Sequence, residues 1–477
     1  MEFSIAGAAV CAALIILMRA LKAPLIVGLL ASLAFGATAL VSLPAIGGSS
    51  PLIYAFFQIA LIGAVIMRRA IWRDLSTLFR RSPHAGLMLF FIAYVVIGAI
   101  FLPRLFAGQT SAFVPTRIDG RVIEVPLTSV SGNITQTFYF LLNGLSFFAF
   151  SVLLIDKRNL RYVRQGFLVW MILHISMGFI DLGGKLTGLG DVLAPVRSAT
   201  YAMLTTVSEG SFWRISGGYA EASSFGAATL VLLAFSFSYW RRTQNRTSLI
   251  LSGALLLLLL MSTSSTAYVG AAIVAIPLLA SILRSSLSGR VSKPDLVLLI
   301  MGIAGTLTIL AVFLYQERLF DPIWQLIDTM IINKASSASA QERAYWNMRS
   351  IQSLYDTFGL GIGLGSSRSS SWAVAVISQL GLIGALMYVA FMTAIFRKQD
   401  LENRNGLAAE DRATIASLRA AAIAVLITAT ISGGGADPGI IFSLALAAVL
   451  SVKHAGAKPM LTSIPRPEPA IAQYSGS

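Results

Sequence analysis

The chain has 477 residues, 56% of them hydrophobic and only 12% charged, with a net charge of +15 and a mean hydropathy of +0.77. This composition excludes a soluble globular protein and predicts an all-α polytopic membrane protein. Cys11 is the only cysteine, and the three histidines lie far apart. A disulfide framework is therefore excluded, and we expect no metal centre and no cofactor.

Apolar runs predict about 12–14 transmembrane helices, with two or three sizeable periplasmic loops that contain short helices. The first run has neither a positively charged start nor a small-residue cleavage site, so we interpret it as a retained span rather than a signal peptide. The runs are 3–18, 24–43, 51–67, 86–102, 136–155, 166–182, 222–240, 248–262, 266–283, 295–315, 372–396, 414–432 and 438–452.

Basic residues are concentrated on one side of this topology. The connections on that side contain 25 basic and 8 acidic residues, and those on the other side contain 11 and 13. Because positively charged loops remain in the cytoplasm, we expect a multi-pass protein of the bacterial inner membrane with a periplasmic N-terminus and a cytoplasmic C-terminus. The positive charge is a topology signal, and we expect no nucleic-acid partner.

The chain divides into alternating membrane and loop segments on this interpretation. The predicted segments are N-terminal transmembrane helices at 1–102, a first periplasmic loop at 103–135, transmembrane helices at 136–182, a second periplasmic loop at 183–221, transmembrane helices at 222–315, a third periplasmic loop with a capped helix at 316–371, C-terminal transmembrane helices at 372–452 and a disordered cytoplasmic tail at 453–477.

The first two loops contain different signals. Alternating residues over Arg121–Val125 predict a short hairpin in the first loop. In the second loop, Pro195 predicts a short helix that continues to Val207. Arg214 and Glu221 then lie at the boundary of the next span, where a charge needs a partner or a function.

Two further signals mark the region between the second and third loops. Hydroxyl residues at Ser262–Thr266 interrupt one apolar stretch and can bond to the backbone at a break, so we predict a tight turn between two spans. In the third loop, Asp321 and Pro322 predict the start of a helix that lies at the membrane surface.

The segment Ser336–Gly365 is the only long polar segment in the C-terminal half of the chain. Ser339 and Glu342 have the spacing of a capping box, which predicts a helix from Ala340, and Gly359 can supply the left-handed residue that ends it.

Cationic and aromatic residues alternate along this predicted helix. Arg343 and Arg349 stand among Tyr345 and Trp346. Guanidinium groups can bind two phosphate oxygens at once, and flat aromatic faces can stack on sugar rings. The combination predicts binding of a phosphate-linked glycan at the membrane surface.

Three segments, taken in order, resemble the bacterial polysaccharide polymerase and O-antigen ligase superfamily, often called Wzy-like. The resemblance covers about 214–384. The segments are Arg214–Phe225, Ser262–Tyr268, and the third loop, where Arg343, Trp346 and the glycine run Gly359–Ser366 precede Gln379–Gly384.

The resemblance implies transfer of a glycan from undecaprenyl diphosphate to an acceptor sugar on the outer face of the inner membrane. Ligases of the superfamily carry a histidine after the glycine run, whereas this chain has no histidine between His174 and His454. That absence favours a polymerase. An arginine that is common in the middle motif is replaced by Ser265, so one phosphate contact of the family is missing.

Glycosyl transfer from a lipid diphosphate needs stabilisation of the departing diphosphate and a base for the acceptor hydroxyl. No aspartate pair with metal-ligand spacing occurs in the outer loops, so we expect arginine to fill the role of a divalent ion. We predict Arg214 and Arg343 as catalytic diphosphate ligands, with Arg349 and Arg368 in support. Glu221 is the first candidate for the base.

Tyr345, Trp346 and Tyr219 complete the predicted substrate-binding residues. Each assignment has a structural alternative. Arg343 and Arg349 could belong to a solvated helix face, Tyr345 and Trp346 could anchor the helix at the headgroups, and Glu221 could pair with Arg214.

The remaining titratable residues are minor candidates. Asp356 and Asp437 are alternative bases, and Glu342 is expected to cap its helix rather than catalyse. His174, in the middle of a span, is expected to be a packing residue.

The predicted function is polymerisation of undecaprenyl-diphosphate-linked oligosaccharide units into O-antigen or exopolysaccharide. Membrane lipid and a chain-length regulator are the other expected partners. The alternatives are a ligase that transfers glycan to a lipid or protein, and a lipid-linked-sugar flippase. Transporters usually show two similar halves and charges within their spans, and no such repeat is visible here.

Overall fold

The computed structural model describes residues 2–43, 49–115, 122–201, 203–205, 208–209, 212–289, 291–315, 337–397 and 407–455. These residues form mostly helices, in this order: α1 (Ile5–Ala20), α2 (Leu25–Ser32), α3 (Ile53–Ile66), α4 (Ile71–Arg81), α5 (Pro83–Leu105), α6 (Ser131–Leu153), α7 (Asn159–Leu186), α8 (Ala222–Thr243), α9 (Arg246–Met261), α10 (Ser265–Leu287), α11 (Lys293–Tyr315), α12 (Ala338–Asp356), α13 (Trp372–Phe396), α14 (Ala409–Ser432) and α15 (Ile440–Ala455).

Within the described residues, three short antiparallel strand pairs accompany the helices. They are β1 (Glu2–Phe3) with β2 (Val41–Ser42), β3 (Ser111–Pro115) with β4 (Val122–Pro126), and β5 (Ser208–Glu209) with β6 (Phe212–Trp213). The β3–β4 pair is the hairpin expected in the first loop.

Long apolar runs become helices because a helix satisfies every backbone polar group within its own segment. In the described part of the chain, seven helices are long and apolar enough to cross a membrane: α5, α6, α7, α8, α10, α13 and α14. The number rises to eight if α3 and α4, bent by 97° at their junction, form one span. The prediction of an all-α polytopic membrane protein is confirmed at this level.

The run 24–43 does not form one span. Its helix, α2, has only eight residues and therefore rises about 12 Å. The chain then leaves the helix and pairs in short bridges, in which Ser4 donates its N–H to Leu40 and Ala39 pairs with Leu52. Apolar composition alone predicted a helix here, but tertiary packing favours a short helix followed by a loop.

The two ends of the bundle differ in character. At one end, which we call the basic end, Arg164 forms ion pairs with Glu410 and Asp411, and Arg241 forms one with Asp295. The other end, which we call the loop end, carries the β3–β4 hairpin, α12 and the 433–439 turn. The core between them is apolar, and α14 packs extensively against α8.

Three predictions about local structure have different outcomes. The turn predicted at the hydroxyl residues is confirmed, since α9 ends at Met261, Thr263 is left-handed and Ser264 caps α10 by accepting from the N–H of Ala267. The helix from Pro195 to Val207 is wrong, because only a short 3₁₀ turn at Ala194–Val196 forms. The helix predicted from Asp321 lies outside the described residues.

Candidate functional site

Helix α12 begins two residues earlier than the sequence pattern indicated. Ser337, rather than Ser339, is the N-cap, and its hydroxyl accepts a hydrogen bond from the N–H of Ala340. The predicted capping box of Ser339 and Glu342 is therefore wrong. At the other end the C-cap Thr357 is followed by Phe358, whose φ of +52° makes it the left-handed residue that ends the helix, one residue before the predicted Gly359. Gly359 also has a positive φ, +81°, and donates its N–H to Leu354.

One face of α12 is fastened to the β3–β4 hairpin. The Tyr345 hydroxyl donates to Glu124 at 2.7 Å, and Arg349 forms an ion pair with the same carboxylate at 2.9 Å and donates to Ser111. Hydrogen bonds from Ser111 and Tyr345, followed by Arg349, hold the pKa of Glu124 below its usual value. These contacts give Tyr345 and Arg349 a docking role in addition to their predicted role in substrate binding.

The adjacent face of α12 is open. Arg343 is exposed and forms no hydrogen bond or ion pair with the described part of the chain. Trp346 follows one helical turn later, on the same side. The Arg368 guanidinium lies over the Trp346 ring, 5.7 Å from its centroid, and is also exposed. The structure therefore separates Arg343 from Arg349 by face and brings Trp346 and Arg368 together.

The segment that presents Arg368 is held by a run of alternate glycines. Gly359, Gly361, Gly363 and Gly365 all have positive φ values between +79° and +86°, which favour glycine. A Cβ on Gly361 would lie 2.6 Å from the backbone nitrogen of Gly381. The run can therefore pack backbone against backbone, with Ile362 and Leu364 buried between the glycines.

The glycine run packs against a break in α13. Gly381 is left-handed within the helix, and the freed carbonyl groups of Ser378 and Gln379 accept hydrogen bonds from Ile362 and Gly363. The Gln379 side chain accepts from the N–H of Gly365 and donates to the carbonyl of Ser367. The glycine run and the Gln379–Gly384 segment, which the resemblance noted separately, thus form one interlocked unit.

The second loop is organised by a buried ion network that sequence reasoning missed. Asp181 accepts from Lys185 at 3.0 Å and from Arg197 at 3.1 Å, and Arg197 also pairs with Asp191. The side chains of Asp181, Lys185 and Arg197 are at most 4% exposed. The i,i+4 spacing of Asp181 and Lys185, with an acid inside an apolar run, was the available signal.

The network also fixes the backbone before α8. Asp181 accepts from the N–H groups of Ser216 and Gly217, and Lys185 donates to the carbonyl of Arg214 at 2.6 Å. Arg214 is half-buried and interacts electrostatically with the hydroxyl of Tyr268 at the start of α10. Two of the three segments of the resemblance therefore meet here.

Glu221 and Tyr219 have different environments. Glu221 is the half-buried N-cap residue of α8, and its carboxylate accepts from the hydroxyls of Ser223 and Ser224. Tyr219 is buried, and its hydroxyl donates to the carbonyl of Leu33 at 2.8 Å. These contacts give Tyr219 a packing position rather than one that is open to a substrate.

The turn between α14 and α15 contains a half-buried carboxylate. Asp437 accepts from the Asn143 side chain at 2.5 Å and from the N–H of Gly439 at 2.9 Å. Burial raises the pKa of Asp437 to about 6, although these two hydrogen bonds act in the opposite direction. A cavity of about 20 Å³, lined by Asn143, Tyr388 and Asp437 among others, lies beside it and has room for one water molecule.

Other candidate positions lie apart from the loop end or are fully packed. A cavity of about 450 Å³ lies at the basic end, beside Arg19 and Lys22. His174 is buried, stacks on Phe225 and hydrogen-bonds with Thr229 at 2.7 Å, so its predicted packing role is confirmed. Among the described residues, no group of three or more His, Cys, Asp or Glu side chains is arranged to hold a metal ion.

Comparison with known proteins does not assign this chain to a family. No protein-family model and no curated protein matches its sequence. The loop-end residues themselves are therefore the basis for a functional proposal.

Proposed function

We propose that this protein is a membrane glycosyltransferase that joins undecaprenyl-diphosphate-linked oligosaccharide units into O-antigen or exopolysaccharide at the periplasmic face. The observation that carries the proposal is the open face of α12. There Trp346 lies under the Arg368 guanidinium and one helical turn after Arg343, and both arginines are exposed. Exposed arginines next to the half-buried ring of Trp346 suit a ligand that combines phosphate and sugar.

The reaction explains why these residue types are needed. The bond between the anomeric carbon and the diphosphate breaks, and negative charge develops on the leaving oxygen. Guanidinium groups fixed nearby stabilise that charge more in the transition state than in the ground state, which accelerates the step. The indole ring of Trp346 supplies an apolar face for the sugar next to the diphosphate.

Hydrogen bonds to two neighbouring elements hold the backbone at Arg368 in place. Its backbone N–H donates to Phe113 at 2.8 Å, and its neighbour Ser370 donates its N–H to Asn347 of α12. The backbone that carries Arg368 is thus fixed to both the hairpin and α12, and the guanidinium itself lies over the Trp346 ring.

The test uses purified protein in nanodiscs with a lipid-linked repeat unit as the only substrate. We expect a ladder of longer lipid-linked chains from the wild type. Arg343→Ala and Arg368→Ala should each reduce the rate by about 100-fold, since removal of one charge-stabilising donor typically has this effect. Arg158→Ala is the matched control, because Arg158 is an exposed arginine at the basic end.

The alternative functions give different results in the same experiment. Chain growth only after addition of a second lipid or protein acceptor would identify a ligase. Movement of the lipid-linked unit across the bilayer without new glycosidic bonds would identify a flippase. If Arg343→Ala and Arg368→Ala both fold and elongate at the wild-type rate, the proposed diphosphate site is wrong.

A further inference from the structure

An open cavity of about 450 Å³ lies at the basic end, between the first three helices. Its volume is within the range of about 300–1,000 Å³ that is usual for small-molecule sites. Its walls are apolar side chains of α1, α2 and α3, among them Ile15, Leu25 and Phe56. Three of the residues around it, Arg19, Lys22 and Phe56, are exposed, so the cavity is open to the surface of the bundle.

The turn after α1 fixes the backbone of the two cationic residues at this cavity. Lys22 donates its N–H to the carbonyl of Arg19 at 3.1 Å, and Ala23 donates its N–H to the carbonyl of Met18 at 2.9 Å. This pattern is a Schellman motif, whose left-handed position is usually glycine. Here the position is occupied by Lys22, with φ of +49°. The motif therefore holds Arg19 and Lys22 in neighbouring positions beside the cavity.

The protein supplies these cations with no counter-charge in the part of the chain that the structure describes. Neither side chain forms a hydrogen bond or an ion pair there, and none of the described residues that line the cavity is acidic. In the sequence, no acidic residue occurs between Glu2 and Asp74, and Glu2 precedes the opposite end of α1.

Two simpler roles for these cations leave the cavity unexplained. A cation near a helix C-terminus is stabilised by the helix dipole, and basic residues at one end of a bundle determine its topology. Both effects act equally on a cation beside a flat surface. The combination of unpaired cations with an open cavity is what indicates a ligand.

The order of side chains around the cavity matches an amphiphile. Along α1 the lining changes from the apolar Ile15 to the cationic Arg19 within about one helical turn. The neighbouring surface is apolar, since Ile16 of α1 and Ile59 of α3 are 67% and 51% exposed. A free phosphate ion would leave the apolar wall uncovered, and a zwitterionic headgroup would bring a further cation close to Arg19 and Lys22.

We propose that this cavity binds one anionic phospholipid, with its phosphate between Arg19 and Lys22 and an acyl chain against Ile15 and Phe56. Pockets between membrane helices that carry basic residues bind anionic lipid headgroups in this way. The cavity and α12 lie at opposite ends of the bundle, so this inference does not depend on the proposed glycosyl transfer.

The first test removes the charges. Native mass spectrometry of the full-length protein in detergent, titrated with phosphatidylglycerol, gives the dissociation constant of the tightest-bound lipid. In Arg19→Gln/Lys22→Gln we expect this constant to rise by about 30-fold, because each cation contributes about a factor of five to binding of an anionic headgroup. Arg80→Gln/Arg81→Gln is the matched control, since this exposed pair at the end of α4 does not line the cavity.

The second test keeps both cations and fills the cavity. Ala60→Phe places a ring inside it, so the tight binding of phosphatidylglycerol should be lost. Ile59→Phe is the control, because Ile59 is exposed on the same helix and does not line the cavity. Binding that depends on Arg19 and Lys22 but survives in Ale60-filled protein is excluded by the proposal.

Several results would overturn the proposal. One is an equal affinity of the wild type and Arg19→Gln/Lys22→Gln for phosphatidylglycerol, and another is an equal affinity of the wild type for phosphatidylcholine. Displacement of the bound lipid by millimolar inorganic phosphate would show that a free anion is the ligand. A dimer of the lipid-free protein that Ala60→Phe abolishes would assign the cavity to a second copy of this chain.

Discussion

Two polar clusters at the loop end differ in how their charges are satisfied. In the first, Asp181, Asp191, Lys185 and Arg197 form a buried network with equal numbers of positive and negative groups. In the second, Arg343 and Arg368 are exposed beside Trp346, and the described part of the chain supplies neither with an acidic partner.

The difference separates a scaffold from a candidate site. Buried charges are tolerated only when they are paired and hydrogen-bonded, so the first cluster has its full set of partners within the protein. Exposed cations that remain unpaired among the described residues can bind an anion without first breaking an ion pair. The first cluster should therefore determine stability and the second should determine activity.

Removing a charge from the first, buried cluster should give the largest effect on stability. Asp181→Asn removes the negative charge that Lys185 and Arg197 share, leaving buried cations without adequate compensation. We expect a loss of about 3–5 kcal/mol in the free energy of unfolding, or failure to fold. Size-exclusion chromatography of detergent-solubilised protein after heating measures the accompanying fall in the apparent melting temperature.

Asp156→Asn is the control for this prediction. Asp156 pairs with Arg158 at 2.8 Å, but both side chains are exposed, so the change should have little effect. Equal melting temperatures for Asp181→Asn and the wild type would show that the network is not the scaffold of the second loop.

The second cluster, Arg343 and Arg368 beside Trp346, is held by backbone packing rather than by ion pairs. Gly365→Ala tests this difference. The new Cβ would overlap the Gly132 carbonyl, and alanine at φ of +79° adds about 1–3 kcal/mol of backbone strain. We expect a lower melting temperature and a displaced Arg368, with reduced donor binding. The melting temperature and donor binding can be measured on purified protein.

Gly253→Ala provides the contrast. Gly253 lies within α9, and a Cβ there has nothing within 4 Å, so alanine should be neutral or slightly stabilising. If Gly365→Ala behaved in the same way, the close approach of the glycine run to α6 would not be needed for the position of Arg368.

The sequence predicted features that depend on local patterns. The apolar runs indicated most helices, and the hydroxyl residues indicated the break before α10. The left-handed end of α12 was predicted one residue late, at Gly359 instead of Phe358. These features follow from backbone chemistry within a few residues and need no knowledge of the packing.

Features that depend on contacts between distant segments were missed. Arg197 falls within the helix that was predicted from Pro195 to Val207, but it reaches back to Asp181 of α7. The contacts of Arg349 and Tyr345 with Glu124 were not predicted, because Glu124 lies in a hairpin more than 200 residues earlier. The relation of Asp437 to Asn143 spans 294 residues. Spacing along the chain carries no signal for such pairs.

The smallest predicted effect concerns the docked face of α12, which adjoins the open cluster. Glu124→Gln weakens the contacts with Arg349 and Tyr345, and because this ion pair is partly exposed we expect a loss of about 0.5 kcal/mol at neutral pH. The pKa of Glu124 lies below its ordinary value of 4.5 in the folded protein. Its contribution is therefore complete above pH 4.5 and is lost as pH falls through the folded value.

The difference in melting temperature between wild type and Glu124→Gln should accordingly be constant from pH 6 to 8 and vanish in acid. Glu342→Gln is the control, because Glu342 is exposed on the same helix and makes no polar contact within the described residues. A difference that grows as the pH falls would mean that Glu124 is not held as a carboxylate by α12. In that case the ion pair with Glu124 would not be what holds Arg349 against the hairpin.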